Sequence, residues 1–276
     1  MAALLAVLSS LLWGTADFLG GVTSRRMAPV AVYGISQCIG AVFLAIVATM
    51  TGSWGADPGF WPWAVAASVA GLIGMIAFYT ALSIGPMGIV APLVSLAVVV
   101  PLAVALLRGE TPTGIQYLGI LAAIVGIMLA SGPELTGAES ARPLVLAGVA
   151  TVAFGAMYVF MAEGSRHDPL MTMTGMRVTT VVIYLVIFAK VRGFGGATRS
   201  DVGPLAAIGL FDAAANVSFG YATTMGLLST TAVLGNLYPV MTAVLAAVFL
   251  HERLRAVQYA GVAAALTGVL MISAGG

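Results

Sequence analysis

The chain has 276 residues, of which 61% are hydrophobic and 8% are charged, with a net charge of +1. A soluble domain carries about 25% charged residues, so these residues cannot cover a water-exposed surface. The composition excludes a soluble enzyme, a nucleic-acid-binding protein and a disordered protein. The class of protein that fits this composition is a polytopic membrane protein. The single cysteine, Cys38, allows no disulfide within the chain.

Ten apolar segments follow one another along the chain, separated by glycine, proline or charged residues. They cover residues 2–22, 29–51, 62–83, 87–107, 113–131, 143–163, 169–191, 203–225, 229–250 and 256–274. A membrane-spanning helix needs about 20 apolar residues, so the sequence predicts an all-α protein with ten transmembrane helices and short loops. The segments are continuously apolar and do not alternate with polar residues, which argues against a β-barrel.

The two halves of the chain resemble each other. A Glu…Gln-Tyr-x-Gly pattern at the start of the fifth segment recurs 142 residues later at the start of the tenth. It consists of Glu110, Gln116, Tyr117 and Gly119 in the first half, and of Glu252, Gln258, Tyr259 and Gly261 in the second. Trp13-Gly14 likewise matches Phe154-Gly155. The chain therefore divides into a repeat at 1–132, a linker at 133–142 and a repeat at 143–276.

Each repeat contains five predicted helices. Because five is an odd number, the second repeat enters the membrane from the opposite face. The sequence thus predicts two inverted five-helix repeats, an arrangement typical of secondary transporters with a site at the repeat interface.

The basic residues of the loops are unevenly distributed. Two, Arg108 and Arg166, follow even-numbered segments. Eight follow odd-numbered segments: Arg25, Arg26, Arg142, Lys190, Arg192, Arg199, Arg253 and Arg255. Loops rich in Lys and Arg stay in the cytoplasm. This bias places both termini outside, in a multi-pass protein of the plasma (cytoplasmic) membrane.

The two repeats, Trp13-Gly14 and the repeated Glu…Gln-Tyr-x-Gly pattern resemble the drug/metabolite transporter superfamily, in particular its EamA-type branch. The resemblance spans the whole chain. It implies alternating access around a central cavity, with export or exchange of small metabolites such as amino acids, nucleobases or drugs. Two features depart from it. Asp17 stands where many relatives carry an uncharged polar residue, and relatives often have cytoplasmic termini, against the charge bias found here.

Three ionisable residues lie well inside apolar segments: Asp17, Arg177 and Asp212. Such a group costs about 2.5–3.5 kcal/mol on insertion and usually faces a cavity or a partner. Asp17 lies one helical turn after Trp13, on the same helix face. There it could hold a cationic ligand by charge and cation–π attraction, or simply be hydrated or paired with the arginines that follow the segment. Asp17 and Asp212 are the candidate proton carriers.

Asp212 and Asn216 share a helix face at mid-membrane depth, where polar groups need partners or water. Arg177 could pair with Asp212, which would then titrate poorly, or receive a substrate carboxylate bidentately. Gln37 occupies the repeat position equivalent to Arg177, so we expect both at the same cavity. The structural alternative is an ion pair that only holds helices together.

Further polar and aromatic residues complete the candidate site. Tyr79 and Tyr221 are repeat equivalents that could grip a ligand or only pack. Asn236 could line the cavity or hydrogen-bond another helix. The candidate substrate-binding residues are Trp13, Gln37, Tyr79, Arg177, Asn216, Tyr221 and Asn236.

Other patterns point to structural roles. A small-residue stripe is predicted to join the fifth and tenth helices; it consists of Gly119, Ala123 and Gly126, with Gly261, Ala265 and Gly268 as equivalents. Glu110 and Glu252 precede these two helices, where a carboxylate favours the positive end of the helix dipole. Pro92, Pro101 and Pro239 favour bends in the fourth and ninth segments.

The leading hypothesis is a secondary transporter, an exporter of small metabolites such as amino acids or related compounds. It would be a monomer and would use protons as the coupling ion. The alternatives are a proton-independent uniporter or exchanger, a flippase of a lipid-linked metabolite, and a membrane sensor or scaffold without flux. We expect a small-molecule substrate and the lipid bilayer as partners, and no enzymatic activity, cofactor, metal site or nucleic-acid partner.

Overall fold

The computed structural model describes residues 1–24, 26–84, 90, 93–130, 141–191, 198–249 and 255–275. It describes the side chains of all of these except residues 29, 30, 79, 82, 83, 187–191 and 246. Within these ranges all regular structure is helical and there is no β-strand. Most of the predicted linker at 133–142 lies outside the described residues, as do Pro92 and Glu252, so the division into domains stays a prediction.

The α-helices are numbered in chain order. They are α1 (Ala2–Ser24), α2 (Pro29–Thr51), α3 (Trp61–Ile84), α4 (Val99–Leu107), α5 (Gly114–Ala130), α6 (Ala141–Ser165), α7 (Pro169–Val191), α8 (Val202–Met225), α9 (Leu228–Gly235), α10 (Tyr238–Phe249) and α11 (Ala256–Ala274). Short 3₁₀ turns lie at Ser53–Gly55, Pro58–Phe60, Leu96–Val98 and Arg199–Asp201.

In the part of the chain that the structure describes, eight helical stretches are long and apolar enough to cross a membrane. They are Ala2–Ser24, Ala31–Thr51, Pro58–Phe78, Ala141–Ser165, Pro169–Val186, Arg199–Met225, Leu228–Phe249 and Ala256–Ala274. Two shorter apolar helices, Leu93–Leu107 and Gly114–Ala130, lie in the fourth and fifth predicted segments. The chain is thus an all-helical, multi-pass membrane protein, as the composition predicts.

Local sequence signals set several helix ends. Pro29 and Pro169 begin α2 and α7, at a position where a missing N–H costs no intrahelical hydrogen bond. Helix α2 ends at Gly52, whose φ of 70° is the left-handed conformation that glycine adopts without strain. The Gly52 N–H donates to the carbonyls of Ala48 and Thr49, so the end of α2 is capped.

The ninth predicted segment is interrupted between α9 and α10, at Asn236 and Leu237. Pro239 has no N–H to donate to the carbonyl of Gly235, which favours an interruption at this point. The fourth segment is irregular at the corresponding place, where a 3₁₀ turn at Leu96–Val98 precedes α4. Asn236 Nδ2 donates to the carbonyl of Ser95 at 2.8 Å, so the two irregular points contact each other.

The helices pack in pairs that recur between the two halves. Helix α1 packs on α8, α6 packs on α3, and α5 packs on α11. A Cβ added at Gly14 would lie 2.5 Å from Met241 Cβ, and one added at Gly155 would lie 2.5 Å from Val100 Cβ. Gly14 and Gly155 are 141 residues apart, as are Val100 and Met241. The two halves therefore make equivalent contacts.

The predicted small-residue stripe is confirmed. Gly126 of α5 faces Ala265 of α11, and the equivalent Gly268 of α11 faces Ala123 of α5. These glycines bring the backbones of the two helices into direct contact, as is usual for helices packed within lipid.

Polar contacts define two faces of the bundle. The N-terminal face is the one where α1 begins and where α2, α4 and α6 end. There the guanidinium of Arg108 pairs with Glu163, and His167 Nδ1 lies 3.1 Å from Asp57 Oδ2. At the opposite face, Arg26 pairs with Asp201 at the start of α8.

Candidate functional site

A polar cluster surrounds Asp212 in the middle of α8. Asp212 Oδ1 accepts hydrogen bonds from Trp13 Nε1 of α1 at 3.1 Å and from Asn216 Nδ2 at 3.1 Å. Asp212 Oδ2 accepts one from Gln37 Nε2 of α2 at 3.0 Å and lies 2.7 Å from Arg177 Nη2 of α7. Arg177 also donates to Gln37 Oε1 through Nη1. These five residues, the Asp212 cluster, join four helices.

The Asp212 cluster is largely buried, and the positive charge of Arg177 balances the negative charge of Asp212. The side chain of Arg177 is 3% exposed and that of Asp212 is 22% exposed, while Trp13, Gln37 and Asn216 are buried. The sequence left open whether Arg177 pairs with Asp212 or receives a substrate carboxylate. The structure shows the pair, with the guanidinium also bonded to Gln37. A substrate carboxylate would have to break these contacts to reach Arg177.

Asp17 lies beside the Asp212 cluster but is not tied into it. Its side chain is exposed, and no hydrogen bond or ion pair joins it to another side chain in the described part of the chain. It is close enough to interact electrostatically with Asp212, Tyr158 and Tyr238. The site therefore contains one carboxylate that is neutralised and one that is accessible.

Four aromatic rings pack around the same point. The Trp13 ring centroid lies 5.8 Å from that of Tyr158, 5.6 Å from that of Phe219 and 6.4 Å from that of Tyr238. Tyr158 and Phe219 are buried, whereas Tyr238 is partly exposed. The four form an aromatic wall next to Asp17.

Sequence reasoning missed three members of the aromatic wall, although two of them had a signal. Tyr158 lies 141 residues after Asp17, so it is the repeat equivalent of that residue. Phe219 lies one helical turn after Asn216 and shares its face. Tyr238 had no such signal, because only the interruption of the ninth segment places it near Trp13.

Exposure changes along the face of α1 that borders the site. Ala6, Ser9, Trp13 and Asp17 follow one another at helical spacing along one face of α1. Ala6, Ser9 and Trp13 are buried, whereas Asp17 is exposed. All eight residues of α9 are buried at the N-terminal face. The residues between the cluster and the N-terminal face are therefore buried, whereas the exposed Asp17 lies towards the opposite face.

Glu110 contributes to the closure of the N-terminal face. Its carboxylate accepts hydrogen bonds from the backbone N–H of Leu228 at 2.9 Å and from both the N–H and the hydroxyl of Ser229, at 3.0 and 2.7 Å. The sequence places Glu110 just before α5 and predicts a structural role at a helix entry, and the residue does precede α5. The helix that its carboxylate caps is α9, whose first N–H groups have no partner within the helix.

Glu110→Ala should lower the free energy of unfolding by about 1–2 kcal/mol, because it leaves the first N–H groups of α9 without an acceptor. Thermal unfolding of the detergent-purified protein, followed by tryptophan fluorescence, measures the change. Arg166→Ala is the matched control at the same face, because the side chain of Arg166 is 70% exposed and its ion pair contributes at most about 1 kcal/mol. Equal stability of the two variants would contradict the capping role.

The structure does not bring every predicted site residue to the cluster. Tyr221 lies nine residues after Asp212 in α8, which turns it about 180° away, and it is 38% exposed. Asn236 is fully buried and bonds the Ser95 carbonyl and the Tyr158 hydroxyl, the latter at 3.3 Å. It therefore connects helices. Tyr79 belongs to α3, and its side chain lies outside what the structure describes.

A separate apolar groove of about 410 Å³ lies between α2 and α8. It is lined by Cys38, Ile39, Val42, Phe43, Ile46 and Leu210. None of these belongs to the Asp212 cluster, and the lining offers no charged group to a lipid headgroup. The groove therefore gives no support to the flippase alternative.

Comparisons with known proteins agree with this fold. A family model described as "EamA-like transporter family" matches residues 1–132 and 142–274. A solved structure titled "Crystal structure of protein" is 17% identical, with a TM-score of 0.83 over 99% of this chain and 97% of that chain. At that identity the likeness shows a shared fold alone. No curated protein matches the chain.

Proposed function

The chain belongs to the EamA-like transporter family and is a membrane transporter of small molecules; from this premise we propose that it is a proton-coupled secondary transporter working by alternating access. The observation that carries the proposal is the Asp212 cluster, a set of ionisable and polar side chains deep in an apolar bundle with the exposed Asp17 beside it. Ionisable groups at such depth are typical of substrate and ion pathways.

The contacts between the two repeats support alternating access. We propose ten helices in two inverted five-helix repeats, at 1–132 and 143–276. In such an arrangement, each contact that closes one face has an equivalent contact that can close the other face. The irregular points of the fourth and ninth segments touch through Asn236 and Ser95. These residues are 141 positions apart, the same separation as between Gly14 and Gly155. We assign the exchange between open and closed faces to movement about this contact.

The basic residues support a direction of transport. Arg26 and Arg255 lie at the opposite face, the one from which Asp17 is reached, together with the start of α6 and its Arg142. If the loops richer in Lys and Arg are cytoplasmic, this structure is open to the cytoplasm. We propose an exporter of the plasma membrane that loads its substrate there.

Asp17 and Asp212 have different roles in this proposal. Asp212 is ion-paired with Arg177 and accepts hydrogen bonds from Trp13 and Gln37, so we assign it the role of positioning these side chains. Asp17 has no ion pair to break and is exposed, so it can exchange a proton with water. We therefore assign proton coupling to Asp17 rather than to both carboxylates.

Asp17→Asn should abolish substrate-driven proton movement, because the amide keeps the shape of the side chain but carries no exchangeable charge. The measurement uses proteoliposomes loaded with a fluorescent pH dye, to which amino acids, nucleobases and organic amines are added in turn. A class that moves protons in the wild type should give a signal at least tenfold smaller in the variant.

Asp57→Asn is the matched control, because Asp57 is an exposed carboxylate at the N-terminal face, far from the Asp212 cluster. It should retain the full signal. Proton movement that persists in Asp17→Asn would remove Asp17 from the coupling step. Substrate flux without proton movement in the wild type would favour the uniporter or exchanger.

A further inference from the structure

The charge balance of the site indicates the class of substrate. We propose that the transported molecule is a monovalent organic cation with an aromatic or aliphatic body, held between the Asp17 carboxylate and the aromatic wall. This inference rests on the proposed transport function and adds to it the chemistry of the cargo.

The first argument is that the accessible charge of the site is negative. Arg177 and Asp212 form an ion pair at 2.7 Å, so their charges cancel. Asp17 is then the remaining charge, and it is exposed. Of the basic side chains that the structure describes, Arg177 alone reaches the Asp212 cluster; Arg26 and Arg108 pair with acidic residues at the two faces.

The second argument excludes an anionic group on the substrate. A substrate carboxylate needs a guanidinium or ammonium partner. Arg177 is 3% exposed, ion-paired with Asp212 and hydrogen-bonded to Gln37. An anion, or the carboxylate of a free amino acid, would have to displace Asp212 from it. A cation meets Asp17 without displacing any contact.

The third argument comes from the aromatic wall. Tyr158 and Tyr238 both interact electrostatically with Asp17, and the Trp13 ring packs against both. The carboxylate and three electron-rich rings thus lie near one another. Such rings attract organic ammonium groups through their faces. An inorganic cation would instead need several oxygen ligands, which rings do not supply.

Binding by probes of different charge tests the proposal. The probes share a benzyl group: benzyltrimethylammonium is a permanent cation, L-phenylalanine a zwitterion, phenylacetate an anion, and benzyl alcohol neutral. Tetramethylammonium and tetraphenylphosphonium extend the cations in size. Binding is measured at one fixed pH by the thermal shift of the wild-type protein in lipid nanodiscs, and transport by uptake of the radiolabelled probe into proteoliposomes.

At least one cation should bind and be transported, and the other three charge classes should not. Asp17→Asn should then weaken cation binding at least tenfold, whereas Asp57→Asn should leave it unchanged. Tyr238→Leu, which removes a ring, should weaken binding by about two- to thirtyfold, more than Tyr238→Phe, which keeps the ring.

Two results would overturn the proposal. One is binding of phenylalanine or phenylacetate that Asp17→Asn does not weaken, which would leave the transport function standing but make the substrate class wrong. The other is the absence of binding by all three cations. Cation uptake without proton movement would instead support the substrate class and contradict the proton coupling of the proposed function.

Discussion

Asp212→Asn should lower the free energy of unfolding by about 3–5 kcal/mol, the range for a buried ion pair that loses one partner. The asparagine keeps the size of the side chain, so packing changes little. Its amide has no charge, and Arg177, at 3% exposure, is left charged in an apolar bundle without a counter-ion. The cost therefore comes from Arg177 rather than from the atoms that are changed.

A double variant separates the cost of the unpaired Arg177 charge from the cost of the changed atoms at position 212. Asp212→Asn combined with Arg177→Gln removes both charges and should recover most of the lost stability, because replacing a whole buried pair is often neutral. Unfolding in mixed detergent–SDS micelles, followed by circular dichroism, compares the variants. Arg26→Gln serves as the control, since it breaks a pair whose arginine is 58% exposed and should cost at most about 1 kcal/mol. Equal losses in the single and double Asp212 variants would mean that the ion pair contributes little.

This expectation changes how loss of transport is interpreted. From the sequence, Asp212 is a candidate proton carrier, and an Asp212→Asn variant without flux would support that role. Because Asp212 is paired with Arg177, the same variant would also lose flux by disturbing Trp13 and Gln37. The proton carrier is identified cleanly only at Asp17, where no ion pair within the described residues is broken.

Most of the helical segments could be predicted because hydrophobic length and breaking residues determine them. The predicted ranges 29–51 and 169–191 coincide with α2 and α7, each of which begins at a proline. The interruption between α9 and α10 was not predicted. An apolar run from 229 to 250 looks continuous, and Pro239 alone does not distinguish a bend from a break.

The charged residues of the candidate site could be predicted from the sequence. Asp17, Arg177 and Asp212 attract attention because ionisable groups are costly within the membrane, and the structure brings all three together. Aromatic residues carry no such cost within the membrane, because a ring that faces lipid and a ring that faces a cavity look alike in an apolar segment, and only repeat or helical spacing distinguishes them. Tyr221 was therefore included although it lies on the far side of α8, while Tyr238 was missed.

The contact between α5 and α11 gives the second large expected effect. A Cβ at Gly126 would lie 2.3 Å from the backbone nitrogen of Ala265, and one at Gly268 would lie 2.6 Å from that of Ala123. A backbone atom cannot rotate aside as a side chain can, so the helices must separate. Gly126→Ala should therefore cost about 3 kcal/mol, the upper end of the range for overpacked sites.

The control for this prediction is Gly148→Ala in α6, where an added Cβ would meet nothing within 4 Å. Alanine favours a helix over glycine by up to about 1 kcal/mol, so this variant should be as stable as the wild type or slightly more so. Unfolding in the same mixed micelles measures both. Adding Gly268→Ala to Gly126→Ala should cost less than the sum of the two single changes, because helices already separated by one methyl group have room for the second. If Gly126→Ala were as stable as Gly148→Ala, the direct contact between the backbones of α5 and α11 would contribute little to the free energy of unfolding.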